Sequence, residues 1–109
     1  MQRLERFLHA VGREDIETVC EIAGPAAKQA EDEGWGPCEQ TYRISFAMFS
    51  AAQKVALRTA TVRSELVVRR GPQEIYVPTQ AVRASVAFTE RDIGDFVLSY
   101  RGNAWFIVD

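Results

Sequence analysis

The stretch that decides the fold is Phe96-Val97-Leu98-Ser99-Tyr100-Arg101-Gly102-Asn103-Ala104-Trp105-Phe106-Ile107-Val108. Two runs rich in aromatic and β-branched residues flank Arg101-Gly102-Asn103, which reads as a turn, so the chain closes on an antiparallel hairpin. Working backward, Glu74-Ile75-Tyr76-Val77 is a further strand, stopped by Pro78. Arg70-Gly71-Pro72-Gln73 is the turn before it. Between Val62 and Arg69 the apolar period is two, with Val62, Ser64, Leu66 and Val68 on one side, which predicts one continuous strand. Val82 to Phe88 is a third strand or an irregular edge, and Thr89 to Asp95 is a loop. About four strands result.

The first half has the period of helices. Leu4, Phe7, Leu8 and Val11 form one face of a first helix, ended by Gly12. Asp15 caps a second, with Ile16, Val19, Cys20 and Ala23 on its face. Gly24-Pro25 interrupts and restarts a short Ala-rich surface helix that runs to Glu33. Gly34-Trp35-Gly36-Pro37 is a turn whose indole is predicted to fold back onto the core. The third main helix begins near Cys38. Tyr42, Phe46 and Phe49 give it one apolar stripe and Ile44 and Met48 a second, so it is expected to be covered on two sides or to line a pocket as well as a core. Ser50-Ala51-Ala52-Gln53 is a capping box that bends the chain into a further short helix with Val55 and Leu57. Helices followed by strands predict an α+β domain, three main N-terminal helices laid on one face of an antiparallel sheet.

A chain of 109 residues, 47% hydrophobic, fits a single domain spanning residues 1–109. Such a chain buries only about two-thirds of its unfolded surface, so a dimer interface or a covalent staple would help it. The net charge of −2 is no footprint of a nucleic-acid binder. Acidic residues gather in the N-terminal helices and arginines in the strand region. The arginines are scattered, which favours solvated surface or an acidic protein partner over nucleic acid. No apolar run is long enough to span a membrane. The start, Met1-Gln2-Arg3-Leu4-Glu5-Arg6-Phe7, lacks the apolar core of a signal peptide. The expected location is cytoplasmic, with export only for a fragment that has lost its signal.

Cys20 and Cys38 form no CxxC pair, and with one histidine they cannot complete an ordinary zinc site. Three readings stay open: a disulfide, two buried or half-buried thiols, or a reactive thiol. A cytoplasmic location argues against the bond. The helix–turn–helix spacing argues for it, and the closed loop of about 17 residues would contribute about 3 kcal/mol.

In order along the chain, Phe7-Leu8-His9-Ala10-Val11 with Asp15, Val19-Cys20-Glu21-Ile22-Ala23-Gly24-Pro25-Ala26, Gly36-Pro37-Cys38, Leu57-Arg58-Thr59-Ala60-Thr61-Val62 and Gly102-Asn103-Ala104-Trp105-Phe106-Ile107 resemble the nuclear transport factor 2-like superfamily. They are similar in particular to small actinobacterial domains of uncharacterised function. The resemblance implies three helices on a curved antiparallel sheet with a cavity between them. Relatives of this type often carry a cysteine pair at equivalent places, which raises the disulfide reading. Tyr42, Phe46, Phe49, Tyr76 and Trp105 are the candidate cavity-lining residues, with Tyr42 and Tyr76 able to present hydroxyls and Trp105 a candidate core anchor.

No catalytic, cofactor-binding or metal-ligating set carries over. His9 lies off the apolar stripe, where a solvated or half-buried surface position is the better reading than a general base. Glu65 and Asp95 could enter a cavity as carboxyls of raised pKa. Solvent, or a salt bridge to an arginine, is the stronger reading. The leading function is a non-enzymatic accessory or protein-interaction domain that dimerises through the exposed sheet face, with Val67, Tyr76 and Phe106 as its contact residues. The alternatives are a small-molecule-binding cavity protein or isomerase/dehydratase-like enzyme, by fold analogy, and a host-interacting phage or mobile-element protein.

Overall fold

The computed structural model describes residues 2–109. Five helices come first: α1 (Gln2–Arg13), α2 (Ile16–Ile22), α3 (Gly24–Asp32), α4 (Cys38–Met48) and α5 (Ala51–Leu57). Strands β1 (Thr61–Val62), β2 (Val68–Arg69), β3 (Glu74–Val77) and β4 (Val82–Arg83), the one-turn helix α6 (Glu90–Ile93), and strands β5 (Phe96–Arg101) and β6 (Ala104–Ile107) follow. The main sheet is antiparallel throughout, in the order β2-β3-β5-β6, and β1 pairs with β4 in a separate two-stranded ribbon. The fold is α+β, with the helices packed on the sheet.

The closing hairpin is as the sequence predicts, with Leu98 opposite Ile107 and Tyr100 opposite Trp105. Gly102 and Asn103 both take left-handed backbone angles in its turn, the conformation that glycine and asparagine tolerate best. Ile75, Val77, Phe96, Leu98 and Ile107 are buried on the inner face. There they meet Leu4, Phe7, Leu8 and Val11 of α1 and Val19 and Ile22 of α2 in one core.

Gly12 does not end α1. The helix runs one residue further and closes at Glu14, whose φ is +56°. The Asp15 and Glu14 N–H groups donate back to Ala10 O (2.8 Å) and Val11 O (3.1 Å), a Schellman closure in which glutamate sits where glycine is usual. Gly12 serves instead as the crossing point with α5. A β-carbon there would stand 2.5 Å from the Lys54 carbonyl oxygen and 2.8 Å from the Arg58 nitrogen. The Asp15 cap forms as expected, accepting from the Thr18 N–H and hydroxyl. So does the Ser50–Gln53 capping box.

Three local expectations change, and the open reading of Val82 to Phe88 resolves to an irregular edge. The strand predicted from Val62 to Arg69 is broken by a 3₁₀ turn at Ser64–Leu66, because Leu66 and Val67 both pack on the core and consecutive strand residues cannot face the same side. Between Val82 and Phe88 only Val82–Arg83 is strand. The Thr89–Asp95 loop contains α6, started by Asp92 accepting from the Thr89 N–H at 2.9 Å and hydroxyl at 3.1 Å. Trp35 does not fold back; it is 70% exposed, held outward between Gly34 and Gly36, whose φ values are +96° and +94°.

Cys20 and Cys38 form a disulfide with a Cα–Cα distance of 6.0 Å, joining α2 to the first residue of α4. No described helix is long and apolar enough to cross a membrane.

The close approach at Gly12 makes a directional prediction. Gly12→Ala must push α1 off α5 and should cost about 2–3 kcal/mol in urea unfolding. Gly24→Ala, at a position with nothing within 4 Å of the added carbon, should change stability by less than about 1 kcal/mol.

Candidate functional site

A groove of about 350 Å³ opens between α1, α3 and α4, with Phe96 of β5 behind it and α6 at its mouth. Its walls are mostly apolar. Phe7, Leu8 and Val11 come from α1, where the i, i+1, i+4 spacing puts them on one side. Ala26, Ala27 and Ala30 come from α3, and their small side chains leave the space open. From α4 and the residue after it come Thr41, Tyr42, Ser45 and Phe49. Tyr42 meets Phe7 edge-on, with ring centroids 6.0 Å apart. Phe49 meets Phe88 in the same way at 6.4 Å.

The polar groups of the groove are few, and most are committed. The Thr41 hydroxyl donates to Cys38 O at 3.1 Å and the Ser45 hydroxyl to Thr41 O at 3.3 Å. Asp92, the carboxylate at the mouth, accepts from Thr89. Among the described residues the Tyr42 hydroxyl has no hydrogen-bond partner, and burial raises its pKa, so the phenol stays neutral at physiological pH.

Of the residues singled out in the sequence, Tyr42 and Phe49 line this groove. Phe46 is buried in the core beside it, packed against Tyr42. Trp105 is half-buried against the core, edge-on to Tyr100 at 5.3 Å, and borders a second hollow with Val67 and Ile75. Tyr76 lies on the outer face of the sheet. Val67 faces the core instead of the outer face, because the 3₁₀ turn before it shifts the register. α4 lines a pocket as well as the core, one of the two expectations for it, but it does so with its Tyr42 side; Ile44 and Met48 are 58% and 81% exposed.

His9 is a structural residue: its Nε2 donates to Ala60 O at 2.7 Å, which requires a proton on that nitrogen. One turn earlier on α1, Glu5 accepts from the Val62 N–H at 2.8 Å. Glu65 is exposed at the 3₁₀ turn. Asp95 pairs with no arginine. It accepts from the Tyr76 hydroxyl at 2.5 Å and the Thr79 N–H at 2.8 Å, and the Thr79 hydroxyl lies 3.0 Å away. The Tyr76 hydrogen bond is the main cause holding the Asp95 carboxyl below its ordinary value, the reverse of the raised pKa considered from sequence, and the Thr79 contacts add to it. The same bond raises the Tyr76 phenol.

The sequence did not single out Phe7, Leu8 and Val11 or the α3 alanines as groove walls. The alanine spacing at 26, 27 and 30 was the available signal, since small residues on one helix face mark a close approach or a space. No family model matches the chain, and neither does any curated protein or solved structure.

The Asp95 cluster ties stability to pH. A depressed folded-state pKa contributes stability that is present above the unfolded carboxyl value of about 3.9 and lost as pH falls through the folded value. The raised Tyr76 phenol contributes below pH about 10 and is lost above it. Asp95→Asn should therefore melt below the wild type at neutral pH, and the difference in Tm should shrink as the pH is lowered from about 5 toward 2. A difference that is constant with pH would mean the carboxylate charge plays no part.

Proposed function

We propose that the chain is a non-enzymatic binding domain whose groove takes an uncharged, mostly apolar small molecule, with the Tyr42 hydroxyl as the polar contact. The observation that carries this reading is the groove itself. It has the volume of a small-ligand site and apolar walls. The hydroxyls of Thr41 and Ser45 and the carboxylate of Asp92 are already engaged with neighbouring protein groups. An isomerase or dehydratase needs a carboxylate or imidazole free to move a proton at the ligand. The nearest carboxylate caps α6, and the one imidazole of the chain holds Ala60. These commitments support binding over catalysis.

The helical layer over one face of an antiparallel sheet also supports kinship with the nuclear transport factor 2-like superfamily. The Cys20–Cys38 bond supports an oxidising compartment over the cytoplasm. A protein-interaction role is the second reading, favoured by the apolar side chains of Ile44, Met48 and Val55 on the outer side of α4 and α5.

Titration with the neutral dye N-phenyl-1-naphthylamine tests the groove. The dye should brighten on binding to the wild type. Ala30→Leu, which fills the groove from its α3 wall, should weaken it about tenfold with the circular dichroism unchanged. Equal affinity for both proteins would refute the groove as the site. No dye binding, together with a sedimentation mass of twice 12.3 kDa, would favour the interaction reading instead.

A further inference from the structure

The disulfide fastens the helix that supplies one wall of the groove, and the rest of its hold on the domain is apolar packing by Phe46, Tyr42 and the following Phe49. Of the eleven residues of α4 only Phe46 is fully buried. Among the described residues, the side-chain hydrogen bonds and ion pairs of α4 stay within the helix and its leading turn: Thr41 to Cys38 O and Pro37 O, Ser45 to Thr41 O, and Arg43 to Glu39. Bends lie at both ends. Gly34 and Gly36 take positive φ before it, and Phe49-Ser50 is extended after it. α1 is held quite differently, by six buried residues and by polar ties from Arg3, Glu5 and His9 to the strands and the chain leading into them.

We propose that the Cys20–Cys38 bond is a redox latch on the groove. Closed, it holds the start of α4 against α2 and keeps Thr41, Tyr42 and Ser45 in the wall. Opened, α4 leaves its seat for much of the time and the groove loses its ligand. The reductant is a protein dithiol. One of its thiolates attacks a sulfur of the bond, and its second thiol resolves the mixed disulfide. Two electrons pass to Cys20 and Cys38, which end as thiols carrying two protons, while the dithiol becomes a disulfide. Both cysteines are half-buried rather than sealed in the core. Cys38 also opens a helix, where a thiolate leaving group is favoured. Only the ligand arm of this proposal rests on the groove as a binding site.

Amide hydrogen exchange on the full chain, oxidised and in dithiothreitol, reads the latch directly, with Cys20→Ser/Cys38→Ser as a reductant-free check. Opening the bond should speed exchange across Tyr42–Met48 and leave β3 and β5 at their oxidised rates. If α4 is then seated a tenth of the time, N-phenyl-1-naphthylamine should bind about tenfold more weakly. Unchanged exchange in α4 overturns the proposal. So does faster exchange in β5 together with α4, or a double variant that fails to fold, because the bond would then staple the whole domain. Loosened α4 with unaltered dye affinity overturns control of the groove. A dye that never binds the oxidised chain refutes the groove reading and leaves the exchange rates to decide the latch.

Discussion

The crossing of α1 over α5 at Gly12 sets the spacing on which the other layers are built. With no β-carbon at that point, the two helix backbones come close enough for Arg58 Nε to donate to Gly12 O at 3.2 Å. That places α1 deep in the molecule, where Leu4, Phe7, Leu8 and Val11 reach the sheet. Its half-buried polar residues then find fixed partners around it. Glu5 and His9 hold the chain leading into β1, and Arg3 donates to Trp105 O on the edge strand β6 at 2.9 Å. A buried polar group without such a partner would cost about 1–3 kcal/mol, so the same contacts that satisfy α1 also locate the strands. The left-handed Glu14 is a consequence of this arrangement. The glycine stands where the helices touch, and the glutamate takes the strained closing position.

The groove follows from what lies beside α1. α3 offers Ala26, Ala27 and Ala30 toward Phe7 and Phe96, and three methyl groups cannot fill the space that larger side chains would. A core built for stability alone would close such a space, since packing at native density is worth several kcal/mol. Keeping it open over mostly apolar walls, with the Thr41, Ser45 and Asp92 side chains already engaged, leaves hydrophobic contact as the main force available to an occupant. The one buried phenol adds direction to it.

Sequence reasoning reached the layers and missed the details that depend on contacts between them. The closing hairpin, the Asp15 and Ser50 caps and the restart at Pro25 are local chemistry, and each is legible from neighbouring residues. The role of Gly12 is not, because a helix-ending glycine and a helix-crossing glycine look alike until the partner helix is placed. The break at Ser64–Leu66 hides for a related reason. A strand period of two runs through it, yet both Leu66 and Val67 are drawn to the core. At the groove, Tyr42 and Phe49 were legible as an aromatic stripe. Asp95 was misread because its partner is a hydroxyl on a neighbouring strand, and arginine, the abundant cation, was the more obvious candidate.

The outer surfaces show where apolar area is left over. On the sheet, Phe106 lies under the Arg3 guanidinium at 5.3 Å and Tyr76 under that of Arg70 at 4.6 Å. Both rings are half-covered by groups that favour their faces. On α4 the second apolar stripe has no such cover. Ile44 and Met48 are mostly exposed and gain little from burial, so the helix draws its hold on the domain from Phe46, the rims of Tyr42 and Phe49, and the bond at Cys38. A fully buried side chain contributes about 1.5–3 kcal/mol; the loop closed by the bond restricts the unfolded chain by about 3 kcal/mol. For this helix the covalent tie is therefore comparable to its one buried side chain. That balance explains how a helix with two apolar stripes can be seated on one of them.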